Sequence, residues 1–312
     1  MTTLLTFRDN IRMFFSQYDY IMTPIFRFIL ALLLFFTMNR GFGYMPLLNK
    51  GSLLCLLALI CAFLPTEVIT VLGGIMIVLQ SFGVAIDVSA LSFVVILIFF
   101  FGYMRFLPKT GIIVLLVPIC YATHLTFALP ILLGFLVGPS AIIPIIFGTI
   151  LYYYQSGLRD LVNVLAATTE EDDTVQGFQY ILSNMLGNQT MLFTFAVFAS
   201  VILVTYAVYR LSFEHSWIAS FFVGGLLNVI LFLIGSAILS IEVEIVPVLI
   251  GSLVGILIAF IVQFCKGIVD YQKTELLQFE DDEYYYYVKA IPKLSVAESN
   301  KNVKHINSKT VS

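Results

Sequence analysis

The sequence predicts an all-α, polytopic transmembrane helix bundle of about ten spans, and three observations predict it. Apolar residues fill 60% of the 312 positions and charged residues only 11%, whereas soluble domains carry about 25% charged residues. The mean hydropathy is +1.00. The apolar residues also fall in long runs, near 21–39, 51–65, 67–85, 89–104, 110–123, 125–138, 140–154, 190–210, 217–239 and 246–266. So little polar surface cannot coat a water-soluble globule. A soluble enzyme, a nucleic-acid binder, a secreted disulfide domain and a disordered protein are excluded. The 29 Phe and 16 Tyr against one Trp supply lipid-facing bulk.

The chain divides into three parts. Residues 1–20 read as an interfacial amphipathic helix: Leu4, Leu5, Phe7, Ile11, Phe14, Phe15 and Tyr18 recur at helical spacing, with Arg8 and Arg12 mostly on the other side. A plain extension of the first span is the alternative. The charges of this stretch rule out the apolar core of a cleavable signal, so the run from Ile21 is expected to stay as the first span. Residues 21–271 form the transmembrane domain, and 272–312 a cytoplasmic tail.

Several runs are short. Segments 51–65, 110–123 and 125–138 reach about 21 Å at 1.5 Å per residue, less than the ~30 Å hydrocarbon core. They are half-helices, re-entrant hairpins or spans with misplaced ends. Segments 51–104 and 110–154 each read as two short pieces and a longer one. Ile60-Cys61 and Ile119-Cys120 fall in the first pieces, and aromatic clusters with Arg105 and Arg159 close the third. That pattern allows a 3+3 inverted repeat followed by three helices, the arrangement of many secondary transporters. Chance resemblance among apolar segments is the alternative.

Basic residues set the orientation. With ten crossings both termini share a side, which then holds all of the 16 Lys and Arg except Arg40, Lys50 and Arg159. Cytoplasmic loops are the basic ones, so both termini are expected inside. Glu170, Glu171, Asp172 and Asp173 would lie in a long external loop, 155–189, and Glu242 and Glu244 before the last span. Asn188-Gln189-Thr190 matches a glycosylation pattern by accident of a span boundary.

Candidate pathway residues are the polar and helix-breaking ones within apolar runs: Gln80, His124, Gly138, Pro139, Ser140, Asn228 and Gln263. A break at Gly138-Pro139-Ser140 would offer free carbonyls and a half-helix N-terminus to a solute, although an ordinary turn between segments is the simpler reading. Gln80, Asn228 and Gln263 suit interhelical hydrogen bonds better than ligand contacts. Imidazole is the side chain that serves as a proton switch in proteins, so His124 could switch with protons, or it is a plain loop histidine. Glu67 and Asp87 flank the third segment at its wetted ends. Gly251-x-x-x-Gly255 and Gly224-Gly225 point to tight helix packing, within the protomer or between copies.

No catalytic site is expected. Walker A, His-Glu-x-x-His and nucleophile-elbow patterns are all missing, and the Glu214-His215 pair is too little. No cofactor is expected, nor a metal, since Cys55, Cys61, Cys120 and Cys265 lie in apolar runs without zinc spacing.

In the tail, Tyr284-Tyr285-Tyr286-Tyr287-Val288 favours an extended strand. With Phe279 it forms a docking segment, 278–293, suited to strand addition to a cytoplasmic protein or another copy. A solvated linker is the alternative. Phe279 to Lys293, together with Arg105-Phe106-Leu107-Pro108-Lys109 and Gly138-Pro139, resembles uncharacterised multi-span membrane proteins of clostridia-type bacteria. That resemblance implies a bacterial plasma membrane and brings no activity or binding residues. The expected function is a transporter or permease for a small solute or lipid-like molecule, in contact with the bilayer and without nucleic acid. A non-transporting scaffold, or a subunit of an envelope or ATPase-driven complex, is the other reading.

Overall fold

The computed structural model describes residues 19–167, 174–212, 215–238, 244–266, 275–280 and 285–290, with isolated positions between 7 and 18. The interfacial-helix reading of 1–20 and the acidic cluster 170–173 fall largely or wholly outside these residues.

Two units are described separately, residues 20–262 and the pair of terminal segments. The first holds α1 (Asp19–Phe42, entering from the terminal segment), α2 (Gly51–Phe63), α3 (Thr66–Phe82), α4 (Ile86–Phe99), α5 (Ile112–Ala122), α6 (Leu129–Leu136), α7 (Ile142–Ala167), α8 (Thr174–Leu186), α9 (Gln189–Tyr209), α10 (Ser216–Ile238) and most of α11 (Ile245–Lys266). A π-helical turn, Phe100–Met104, extends α4, and 3-10 turns precede α5, α6 and α7 at Pro108–Thr110, Thr126–Ala128 and Pro139–Ala141. The apolar runs of the sequence all become helices.

Six of these helices are long and apolar enough to cross a membrane: Asp19–Gly41, Ile86–Met104, Pro139–Val164, Gln189–Tyr209, Ser216–Ile238 and Ile245–Lys266. Four shorter apolar helices, Gly51–Phe63, Thr66–Phe82, Pro108–Ala122 and Thr126–Leu136, stand between them. The chain is an all-helical membrane protein in its apolar part. Side chains such as Phe63, Phe101 and Leu226 are more than 60% exposed, a surface suited to lipid rather than water. The expected 155–189 loop is mostly helix. The α7 pattern continues to Ala167, and α8 packs back with Ile181 buried and Gly177 against Asp87 and Leu161.

Helix ends follow local chemistry. Pro65 forces Leu64 into an extended conformation (φ −96°, ψ 161°) and so breaks α2 from α3. Asn188 caps α9, its side chain accepting from the Met191 amide at 2.9 Å. Its carboxamide is therefore a structural group, which explains the residue without a glycan.

Lipid gives helices no hydrophobic reason to associate, so close packing and hydrogen bonds hold them. Gly148 lets α7 approach α5 so closely that a Cβ there would fall 2.6 Å from Val117 Cβ and 2.8 Å from the Val114 carbonyl oxygen. Gly251 and Gly255 abut Phe127 and Ala128. The small-residue motif thus serves packing within the protomer.

In the terminal unit, β1 (Glu275–Glu280) pairs antiparallel with β2 (Tyr285–Ala290), with Phe279 opposite Tyr286 and Glu280 opposite Tyr285. The expected strand is present over Tyr285–Ala290, and Tyr284 lies outside the described residues. One of its edges is occupied by the chain's own β1, a partner the sequence reading did not foresee.

Candidate functional site

The short helices α5 and α6 form a hairpin whose two feet are joined by one side chain. Tyr103 Oη lies 2.6 Å from Thr110 Oγ1, ahead of α5, and donates to the Ser140 carbonyl, beyond α6, at 3.0 Å. Entry and exit are therefore side by side. The residues flanking the tip, Tyr121 and Phe127, meet two long helices at their midpoints. Tyr121 stacks on Tyr152 with centroids 3.7 Å apart and planes 10° apart, and Tyr152 is ten positions into α7, about 15 Å from its start. Asn228, twelve positions into α10, donates from Nδ2 to the Phe127 carbonyl at 2.9 Å and to Ser252 Oγ at 2.9 Å. The hairpin thus stops partway along its neighbours.

The turn at that tip carries a strained residue. Leu125 N–H donates to Cys120 O at 2.8 Å and His124 N–H to Tyr121 O at 3.2 Å, a Schellman ending for α5. His124 occupies the left-handed position (φ 57°) that glycine fills most easily. A non-glycine residue costs roughly 1 kcal/mol there. His124→Gly is therefore expected to raise the unfolding free energy of the detergent-solubilised protein by up to about 1 kcal/mol. A destabilised variant would show that the imidazole contributes contacts exceeding the strain.

Beyond the tip lies a cavity of about 270 Å³ lined by Thr37, Arg40, Gly41, Tyr121, His124, Tyr152, Gln155 and Arg159 among others. Arg40 and Arg159 are exposed, and neither makes an ion pair among the described residues. The Arg40 guanidinium rests over the Phe36 ring at 4.8 Å, and Arg159 Nε points to the Gln155 carbonyl at 3.5 Å. Among the described residues no carboxylate lines the cavity. Asp160 is the nearby acid, felt by Tyr44. Burial pushes that phenol up, Arg159 draws it down and Asp160 raises it again. Gln155 is only 6% exposed, and its side-chain amide has no hydrogen-bond partner among the described residues. It lies against Gly41, where a Cβ would coincide with Nε2.

Of the sequence-expected pathway residues, His124 alone lines this cavity. Gln80 is a clamp: its Nε2 donates to Asn39 Oδ1 at 2.8 Å and its Oε1 accepts from Met45 N at 2.9 Å, tying α3 to α1 and the following loop. Asn228 is likewise an interhelical staple. Gly138 (φ 80°) ends α6, donating its N–H to Leu133 O at 2.9 Å, while Pro139 and Ser140 start the next helical turn. That is the turn reading of the motif. Gln263 is buried on α11, its Oε1 without a hydrogen-bond partner among the described residues. In the tail Tyr285 and Tyr286 are exposed; Tyr284 and the side chains of Phe279 and Tyr287 lie outside the described residues.

Arg40, Gln155 and Arg159 were not singled out as site residues from the sequence. The available signal was that Arg40 and Arg159 are two of the three basic residues expected on the external side. No protein-family model, curated protein or solved structure matches this chain.

Proposed function

We propose that the protein is a permease-like transporter of the plasma membrane that admits a small solute from the external face. The observation that carries this reading is the α5–α6 hairpin, which ends at the middle of α7 and α10 beneath a polar cavity. Irregular backbone at membrane depth is stable only where protein covers it or water reaches it, and here a cavity bordered by two arginines supplies the water.

Topology follows by parity. The α2–α3 and α5–α6 pairs each return the chain to the side it left, whether or not they cross fully. Six long spans then leave both termini on one side, and the basic-residue bias makes that side cytoplasmic. The two pairs enter from opposite ends, and each is followed by a long helix, α4 or α7. That order supports an inverted repeat of two short helices and one long one, in place of ten equal spans.

The test is cysteine labelling in intact cells, with the four native cysteines replaced by serine or alanine. A membrane-impermeant maleimide is expected to label His124→Cys from outside and Lys109→Cys, at the foot of the hairpin, only after permeabilisation. A tip unreactive from outside in a normally expressed protein would overturn the vestibule and favour a scaffold that acts through its tail.

A further inference from the structure

We propose that the external cavity binds a phosphoryl oxyanion, held between the guanidinium groups of Arg40 and Arg159 and the amide of Gln155. This rests on the vestibule reading above and assigns its ligand chemistry.

Charge comes first. Two permanent cations border a space of about 270 Å³ that no carboxylate among the described residues lines, in a protein whose composition otherwise avoids charge. His124 also borders this space. A singly charged carboxylate would leave one arginine unmatched, whereas a phosphate monoester or inorganic phosphate carries about −1.5 to −2 at pH 7. Guanidinium groups offer paired N–H donors that match such oxygens.

Gln155 is an independent observation. Buried amides ordinarily pair within the protein; Gln155 is only 6% exposed as a residue, its side-chain amide has no hydrogen-bond partner among the described residues, and it borders the cavity. Its Nε2 donors and the Tyr152 hydroxyl would complete the shell of an oxyanion. The neighbouring glycine belongs to the same device, because any side chain at position 41 would displace the Gln155 amide. The cavity falls below the roughly 300–1,000 Å³ of drug-sized ligand sites, so the ligand is a small phosphate compound or the headgroup of a lipid.

Calorimetric titration of the full-length protein in detergent separates these cases. Inorganic phosphate is expected to bind saturably and acetate at least tenfold more weakly. Arg40→Gln and Arg159→Gln should each weaken phosphate at least tenfold, and Gln155→Leu and Gly41→Val should weaken it as well. Arg210→Gln, at the far end of α9, should leave it unchanged. If free phosphate fails but nanodiscs containing phosphatidate stabilise the wild type over Arg159→Gln, the oxyanion is a lipid headgroup and the assignment stands. Equal binding of acetate and phosphate, or no response to phosphate or phosphatidate, overturns it. The labelling experiment reads separately: a reactive His124→Cys with no phosphate response keeps the vestibule and sinks the oxyanion site, and the converse keeps the site alone.

Discussion

Replacing Asn228 by aspartate is expected to destabilise the full-length protein by about 2.5–3.5 kcal/mol, the cost of an acidic residue at the centre of a span. Asn228 is fully buried, and both hydrogens of its Nδ2 are used, one by the Phe127 carbonyl and one by Ser252 Oγ. A carboxylate has no N–H to offer and would set negative oxygen against that carbonyl. Asn228→Leu removes the same two bonds without adding charge, so its expected cost is smaller, about 0.6–1.7 kcal/mol per bond. Thermal or denaturant unfolding of the purified protein in detergent, comparing the two variants, provides the check. Equal losses would mean that packing volume, not hydrogen bonding, makes this position sensitive. A neutral Asn228→Asp would show that the junction of α6, α10 and α11 is solvated.

The second large effect is expected at Gly148. Leucine there would drive carbon into the backbone of α5, since even a Cβ falls 2.8 Å from the Val114 carbonyl oxygen and 2.6 Å from Val117 Cβ. Overpacking of this kind costs typically 1–3 kcal/mol, more where the obstacle is backbone and cannot rotate away. Gly148→Ala should move stability in the same direction by less. The change also carries a local signature: prising α5 from α7 separates Tyr121 from Tyr152, which stack one turn beyond the contact. The labelling rate of His124→Cys should therefore alter in Gly148→Leu more than its expression does. Unchanged unfolding and unchanged labelling together would show that the two helices are free to part.

The two sites illustrate what was legible beforehand. Asn228 was marked as interhelical glue by its chemistry alone, an amide in an apolar run, and the structure supplies its partners. Gln80 was read the same way and is satisfied on both sides of its amide. Gly138-Pro139-Ser140 was open between a turn and a solute site. The left-handed glycine, the carbonyl of Leu133 and the proline opening the next helix give it the geometry of a turn. The arginines of the cavity are legible only as a count of external charges, because Arg40 and Arg159 are more than a hundred residues apart and nothing local announces that they border one cavity. Nothing local marks Gln155 either, since it lies beside a tyrosine cluster that reads as interfacial bulk.

Composition and hydropathy by themselves determined that the apolar part is helical and roughly where its segments lie, several of them short, but not where the helices end, since α7 and α8 occupy most of the expected 155–189 loop. Helix formation satisfies backbone groups locally, so a run of apolar residues settles it without reference to the rest of the chain. Lipid-exposed and buried faces are both apolar, however, so no periodicity in the sequence says which faces meet. The hydrogen bonds of Tyr103 that close the hairpin feet, the stop of its tip at the middle of α7 and α10, and the convergence of Arg40, Gln155 and Arg159 were decided only by tertiary packing, which acts between residues the local pattern cannot relate.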